Sequence, residues 1–213
     1  MFSPPVPAHL LLFRILNSTL ISTNSPFYQA HCIHCRLPDS FCPCAKLKKT
    51  TLPFEIVLLT HSSEWQKNHN TGQWFTISAD KVQRLIWSRK MPAVDIQPGD
   101  FLLFPGEQAV EITNQSSGVA TPIKRLWLID GTWQQAHKVL RQSPWLQAMP
   151  QLKLENIESQ FNLRRNQRGL CTMESAITAL SCAQPEFDDQ HLWANFHQLQ
   201  QAYQSISSGP AVD

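Results

Sequence analysis

Four cysteines, Cys32, Cys35, Cys42 and Cys44, fall within thirteen residues in the spacing C-x2-C-x6-C-x-C. Thiolates at that density can close a tetrahedral shell around zinc, with the C-x2-C pair supplying two ligands from one tight turn. Four sulfurs leave no open coordination position, so such a metal would hold the chain rather than react. His31 and His34 are available as substitute ligands. Redox chemistry at Cys32 and Cys35 is the rival reading, although no thioredoxin-like pattern surrounds them. The other candidate for chemistry is Asp130. The apolar run 125–129 predicts a buried strand, Asp130-Gly131 a turn, and the next residues a helix. A carboxylate at the carboxyl end of a strand lies where open α/β sheets bind ligands. The same residue can equally serve as a helix cap.

The elements that must position these groups alternate along the chain. Residues 54–61 predict a strand, followed by Ser62, Ser63 and Glu64 and then by Asn70-Thr71-Gly72. That polar segment reads either as a ligand-facing loop or as a plain turn. Residues 78–87 predict a short helix with Val82, Leu85 and Ile86 on its apolar side, and 100–104 a second strand closed by Pro105-Gly106. The stretch 107–124 is polar and loop-like. In the helix after Asp130, Trp133, Ala136, His137 and Leu140 recur at i, i+3, i+4 and i+7 and predict its apolar face. Ser143-Pro144 ends it. A short strand is expected over 152–155, then a loop carrying Arg164, Arg165 and Arg168. That loop leads into a helix capped by Thr172, with Met173, Ile177 and Leu180 inside. Basic groups beside a helix N-terminus suit an anion, or simply a solvated loop. A last helix is expected over 191–205. Strands alternating with helices mean an α/β fold, a mainly parallel sheet with flanking helices behind the small cysteine module.

The 213 residues suffice for one full core, and a formal net charge of +2 does not announce a nucleic-acid partner by itself. Local basic groups such as Lys46, Lys48 and Lys49 matter more. No glycine-rich fingerprint follows a strand, which argues against a dinucleotide site or a P-loop, and no Ser-His-Asp arrangement can be placed. The apolar patch 8–13 is interrupted by Arg14 and is too short to span a membrane. Residues 1–28 are therefore expected to be a loosely ordered extension, and 206–213 a frayed tail. A cytoplasmic protein with no membrane partner is expected, where clustered cysteines bind metal more often than they form disulfides.

Together these stretches resemble the DTW-domain family, the tRNA-uridine aminocarboxypropyltransferases. The resemblance rests on the four cysteines, His61-Ser-Ser-Glu64 with Asn70-Thr71-Gly72, Leu103-Phe104-Pro105-Gly106, Asp130-Gly131-Thr132-Trp133 followed by Ala136, and Leu163-Arg164-Arg165 leading to Thr172-Met-Glu174. Five motifs in this order cover residues 32–180. The chain departs from the family pattern at His31, where an arginine-proline lead-in is common, and at Ser175, where alanine is usual. The resemblance implies a fold related to the SPOUT-type methyltransferases, knotted towards the C-terminus. It implies a four-cysteine zinc module over 29–50 and a catalytic domain over 51–205. It also implies transfer of the 3-amino-3-carboxypropyl group of S-adenosylmethionine to N3 of a tRNA uridine, releasing methylthioadenosine. Asp130 would then be the catalytic base, or a charge that orients N3–H or attracts the sulfonium. Leu103, Phe104, Pro105, Gly106, Gly131, Thr132, Trp133, Leu170 and Thr172 would surround the cosubstrate. Glu64, Asn70 and Thr71 would meet the RNA, and Arg164, Arg165 and Arg168 its phosphates or the cosubstrate carboxylate. A methyltransferase using the same cosubstrate, and a non-catalytic zinc-containing RNA-binding module, are the alternative readings.

Overall fold

A computed structural model describes residues 30–112, 121–155, 157–163 and 169–208. The predicted sites Arg164, Arg165 and Arg168, and the extension 1–28, lie outside the described residues. The chain divides into Met1–Ala30 and His31–Asp213, and the second part holds the sheet and its helices.

Six strands form one parallel sheet: β1 (Glu55–His61), β2 (Val82–Trp87), β3 (Asp100–Leu103), β4 (Val110–Glu111), β5 (Arg125–Asp130) and β6 (Gln151–Lys153). Their order is β2-β1-β5-β3-β6-β4. The central strands are apolar on both faces because both faces are covered. Ile56, Leu58, Leu126 and Leu128 point to one layer, which contains α1 (Thr71–Ser78), α4 (Thr172–Ala183) and α5 (Gln190–Ser208). Val57, Leu59 and Trp127 point to the other, against α2 (Trp133–Arg141) and the short α3 (Pro144–Gln147). This is the expected α/β architecture. No helix among the described residues is long and apolar enough to cross a membrane.

The expected helix over 78–87 is wrong. The helix there is α1, ending at Ser78, and Val82–Trp87 is the strand β2, paired with β1 from Ile56↔Val82 to His61↔Trp87. A short apolar run fits both periods, and the break between the two elements is Lys81 in the left-handed region, φ 48°. Asn70-Thr71-Gly72, expected as a loop or turn, starts α1: the Asn70 side chain caps it by accepting from the Gln73 N–H at 2.7 Å. Two further corrections are smaller. The buried face of α2 is Ala136 and Val139, while Trp133 is 48% exposed. Cys171, not Thr172, occupies the N-cap of α4, where its N–H donates to Glu174 at 2.7 Å.

At the amino ends of β3 and β5, Asp100 accepts both arms of Arg125, from Nε at 2.7 Å and Nη2 at 2.5 Å. Burial pushes the Asp100 carboxyl up, but the guanidinium fork and the Gln97 N–H outweigh it and hold it below its ordinary value. A carboxyl depressed in the folded state contributes stability above its unfolded pKa of about 4 and loses it as pH falls through the folded value. Asp100→Asn is therefore expected to destabilise by about 2 kcal/mol at pH 7. The gap to the unaltered protein should close below about pH 4, in urea melts at several pH values.

Candidate functional site

The parallel register sets Thr60 of β1 beside Asp130 of β5. Alternation sends both side chains, together with Arg84 of β2, to the sheet face that carries α1 and α4. There Asp130 is 2% exposed and surrounded by donors. Its Oδ1 accepts from Thr172 Oγ1 at 2.8 Å and Asn70 Nδ2 at 3.1 Å. Its Oδ2 accepts from Thr60 Oγ1 at 2.9 Å, Asn70 Nδ2 at 3.0 Å and Arg84 Nη2 at 3.4 Å. An ionised carboxylate has about four lone-pair sites, so this shell is full. The capping reading of Asp130 fails: the cap of α2 is Thr132, in a reciprocal box with Gln135.

Arg84 is the residue of this site that sequence reasoning missed, because the apolar pattern around it assigns it to a helix. Its guanidinium spans the layer beneath the carboxylate: Nε donates to Thr60 Oγ1 at 3.1 Å, Nη1 to Gln73 Oε1 at 2.7 Å, and Nη2 to Asn70 Oδ1 at 2.9 Å. Trp65 lies under it at 4.3 Å, a cation–π contact. Burial lowers the Arg84 pKa, and the Asp130 charge opposes that shift. The pattern that could have found it is a lone arginine in a β-branched and aromatic run, at a position level with the strand that ends near Asp130.

The first turn of α1 closes the same site. A Cβ added to Gly72 would stand 2.7 Å from Asp130 Oδ2 and 2.8 Å from its Cγ. Only glycine lets the helix approach so closely. Gly72→Ala is expected to lower stability by about 1–3 kcal/mol through overpacking. The added methyl would also displace the Asp130 carboxylate. Thermal melts of the two proteins check the loss of stability.

A cleft of about 700 Å³ opens at these strand ends, within the range of small-molecule sites. Leu103, Phe104 and Pro105 form one wall, Gly131, Thr132 and Trp133 a second, and Leu170 and Thr172 a third. Glu64, Asn70 and Thr71 complete it. Of the described residues expected at the ligand, Gly106 alone lies elsewhere, in a neighbouring cavity. Glu64 pairs with Lys67 at 2.7 Å on the rim. Glu174 of the last motif does not face the cleft: it is fully buried and holds the loop before α4 through Ser159, the Gln160 N–H and the Cys171 N–H.

The cysteines converge as their spacing predicts. All four Sγ atoms lie within 4.8 Å of one another, with Cys32–Cys44 at 3.8 Å and Cys35–Cys42 at 3.6 Å. A tetrahedral ion with bonds of about 2.3 Å to sulfur needs sulfurs about 3.8 Å apart, so the set fits a metal. The knuckle closes through Arg36 N–H to the Cys32 carbonyl at 2.8 Å, with Arg36 at φ 65°. Burial pushes the Cys44 thiol up to about 12. Cys32 is also raised by burial, but the Cys35 and His34 N–H groups outweigh this and bring it to about 7. Cys171 stands apart as packing, its thiol pushed up to about 12 by burial.

Hydrogen bonds connect this centre to Asp130. The His34 carbonyl, inside the C-x2-C turn, accepts from Gln73 Nε2 at 2.7 Å, and Gln73 Oε1 holds Arg84. Arg36 approaches the Trp65 ring, at 5.9 Å, that also carries Arg84.

Residues 29–206 match the model of the DTW domain family. The tRNA-uridine aminocarboxypropyltransferase 2 of Drosophila melanogaster is 27% identical over 176 residues, covering 76% of this chain and 68% of that protein. No solved structure matches the chain.

Proposed function

The chain belongs to the DTW-domain family, and from that premise we propose that it is a tRNA-uridine aminocarboxypropyltransferase, moving the 3-amino-3-carboxypropyl group of S-adenosylmethionine to N3 of a tRNA uridine. The observation that carries this reading is the position of Asp130, buried, paired with Arg84 and lining a cleft walled by the family's other motifs. S-adenosylmethionine supplies an electrophilic methylene next to a sulfonium, which leaves as neutral methylthioadenosine. Leu103, Phe104, Pro105, Gly131, Thr132, Trp133 and Leu170 offer the apolar and backbone walls such a molecule needs.

The residues supply the proton path. The Thr172 hydroxyl proton is directed at Asp130 Oδ1, which leaves the hydroxyl lone pairs for an N3–H in the cleft. Thr172 takes the N3 proton while its own moves to Asp130, N3 forms the new bond to carbon, and the carbon–sulfur bond breaks. Asp130 thus acts as base through one hydroxyl, a geometry that general-base catalysis tolerates. Asn70 and Thr60 keep the carboxylate still, and Arg84 balances its charge. Zinc is the proposed ion for the four cysteines, over a module spanning 29–50 ahead of a catalytic domain spanning 51–205. Lys46, Lys48 and Lys49, with Arg164, Arg165 and Arg168, are proposed to meet the tRNA backbone, where positive charge supplies most non-specific affinity. Glu64, Asn70 and Thr71 are proposed on the acceptor side of the cleft.

The co-product distinguishes the readings. Purified protein with unmodified tRNA and S-adenosylmethionine is expected to release methylthioadenosine. Release of S-adenosylhomocysteine would mean methyl transfer, and release of neither with tRNA bound would mean a binding module.

A further inference from the structure

A second cavity, of about 1060 Å³, lies beside the cleft and shares Leu152 with it. One loop separates them: Phe104 and Pro105 face the cleft, Gly106 and Glu107 the second cavity. Helix α2 runs along both. Trp133, His137 and Arg141 stand at i, i+4 and i+8, on one exposed face. Trp133 lines the cleft, while His137 and Arg141 line the second cavity. Phe104, buried, fixes both exposed rings edge-on: its centroid is 6.1 Å from Trp133 and 5.2 Å from His137. Arg141 forms no ion pair with a described residue, and Glu107 is the one acidic group among the described lining residues. The Gln108 and Gln151 side chains also line the cavity, and their amides have no hydrogen-bond partner among the described residues. Gly106 leaves the space that the Gln151 amide occupies, since a Cβ there would meet its Oε1.

We propose that this second cavity and the outer face of α2 hold the single-stranded nucleotides flanking the acceptor uridine. The inference rests on the reading of the cleft as the acceptor site. N3–H of uridine is a Watson–Crick donor, so chemistry there requires an unpaired base, presented from a single strand or extruded, and the nucleotides on either side of it must be held next to the cleft. Exposed rings, an unpaired guanidinium and unpaired amides are what stack, neutralise and read such nucleotides. A purely apolar peptide would leave the guanidinium and amides without partners, at a cost in affinity. The volume also lies at the upper limit of about 1,000 Å³ for small-molecule sites, as suits a length of chain.

The test compares Arg141→Glu and His137→Ala with Lys124→Glu, an exposed control near the amino ends of the strands. Direct tRNA binding is read by fluorescence anisotropy at several salt concentrations, alongside KM for each substrate. Arg141→Glu is expected to weaken tRNA binding about tenfold and to lower the salt slope by about one, with KM for S-adenosylmethionine within about twofold. His137→Ala is expected to weaken binding about three- to tenfold, as loss of one stacking ring does. Binding by both variants equal to that of Lys124→Glu, or a rise confined to KM for S-adenosylmethionine, would overturn the proposal. Weakened binding in a protein that transfers nothing would keep the groove and overturn the enzymatic reading instead.

Discussion

Asp130→Asn is expected to lower kcat about 10³-fold, the scale of losing a preorganised catalytic group. The change is nearly isosteric, but it turns one acceptor oxygen into a donor inside a shell that offers only donors: Thr60, Asn70, Thr172 and Arg84. At least one of those contacts becomes a clash of like dipoles, and Thr172 loses the group proposed to take its proton. Arg84, with a side chain only 4% exposed, also loses its counter-charge. Removing one partner of a buried pair costs about 3–5 kcal/mol, so some loss of stability accompanies the loss of rate. Thr172→Ala separates the two effects, because Thr172 is only half-buried and carries no charge. That variant is expected to keep its melting temperature within about 3 °C while kcat falls about 10²-fold, and Thr172→Ser to restore most of the rate. Full activity in Asp130→Asn would remove Asp130 from the chemistry. An unaffected Thr172→Ala would remove the hydroxyl step and leave direct abstraction.

The second large effect is at the cysteines. Cys42→Ser, or exhaustive chelation, is expected to lower the melting temperature by about 10 °C or more, since a structural metal contributes folding free energy directly. Cys35 and Leu37 belong to the same buried cluster as Ile56, Trp74 and Phe196, so a loosened knuckle is felt across that layer. The effect should reach turnover as well, along His34, Gln73 and Arg84 to Asp130. Gln73→Leu isolates this path. It should retain stoichiometric zinc by metal analysis while kcat falls about tenfold, consistent with loss of one hydrogen bond to a charged group. A Cys42→Ser protein that binds no metal yet melts and turns over as the unaltered protein would contradict the structural role.

The parts of the site that were legible in the sequence are those set by local pattern. Cysteine spacing predicts its own cluster, and a strand-turn-helix places Asp130 at the carboxyl end of a strand without knowledge of the other strands. Arg84 was not legible, because its meaning depends on pairing between β1 and β2, a non-local contact that no window contains. The run Val82–Trp87 satisfies helical and strand periods alike, and only the sheet decides between them. Asn70 was half legible: an Asn three residues before Gln73 is a cap signal, but the same residues compose an ordinary turn. Trp133 misled for the opposite reason. Its spacing is that of a core residue, yet it packs on Phe104 and His137 at the edge of the cleft.

The most direct measurement uses S-adenosylmethionine labelled in its carboxyl carbon, with unmodified tRNA and the purified protein. Label in a uridine nucleoside after complete digestion of the RNA is the predicted result, abolished by Asp130→Asn. Unlabelled RNA in a reaction where the same protein transfers a labelled methyl group would contradict the account.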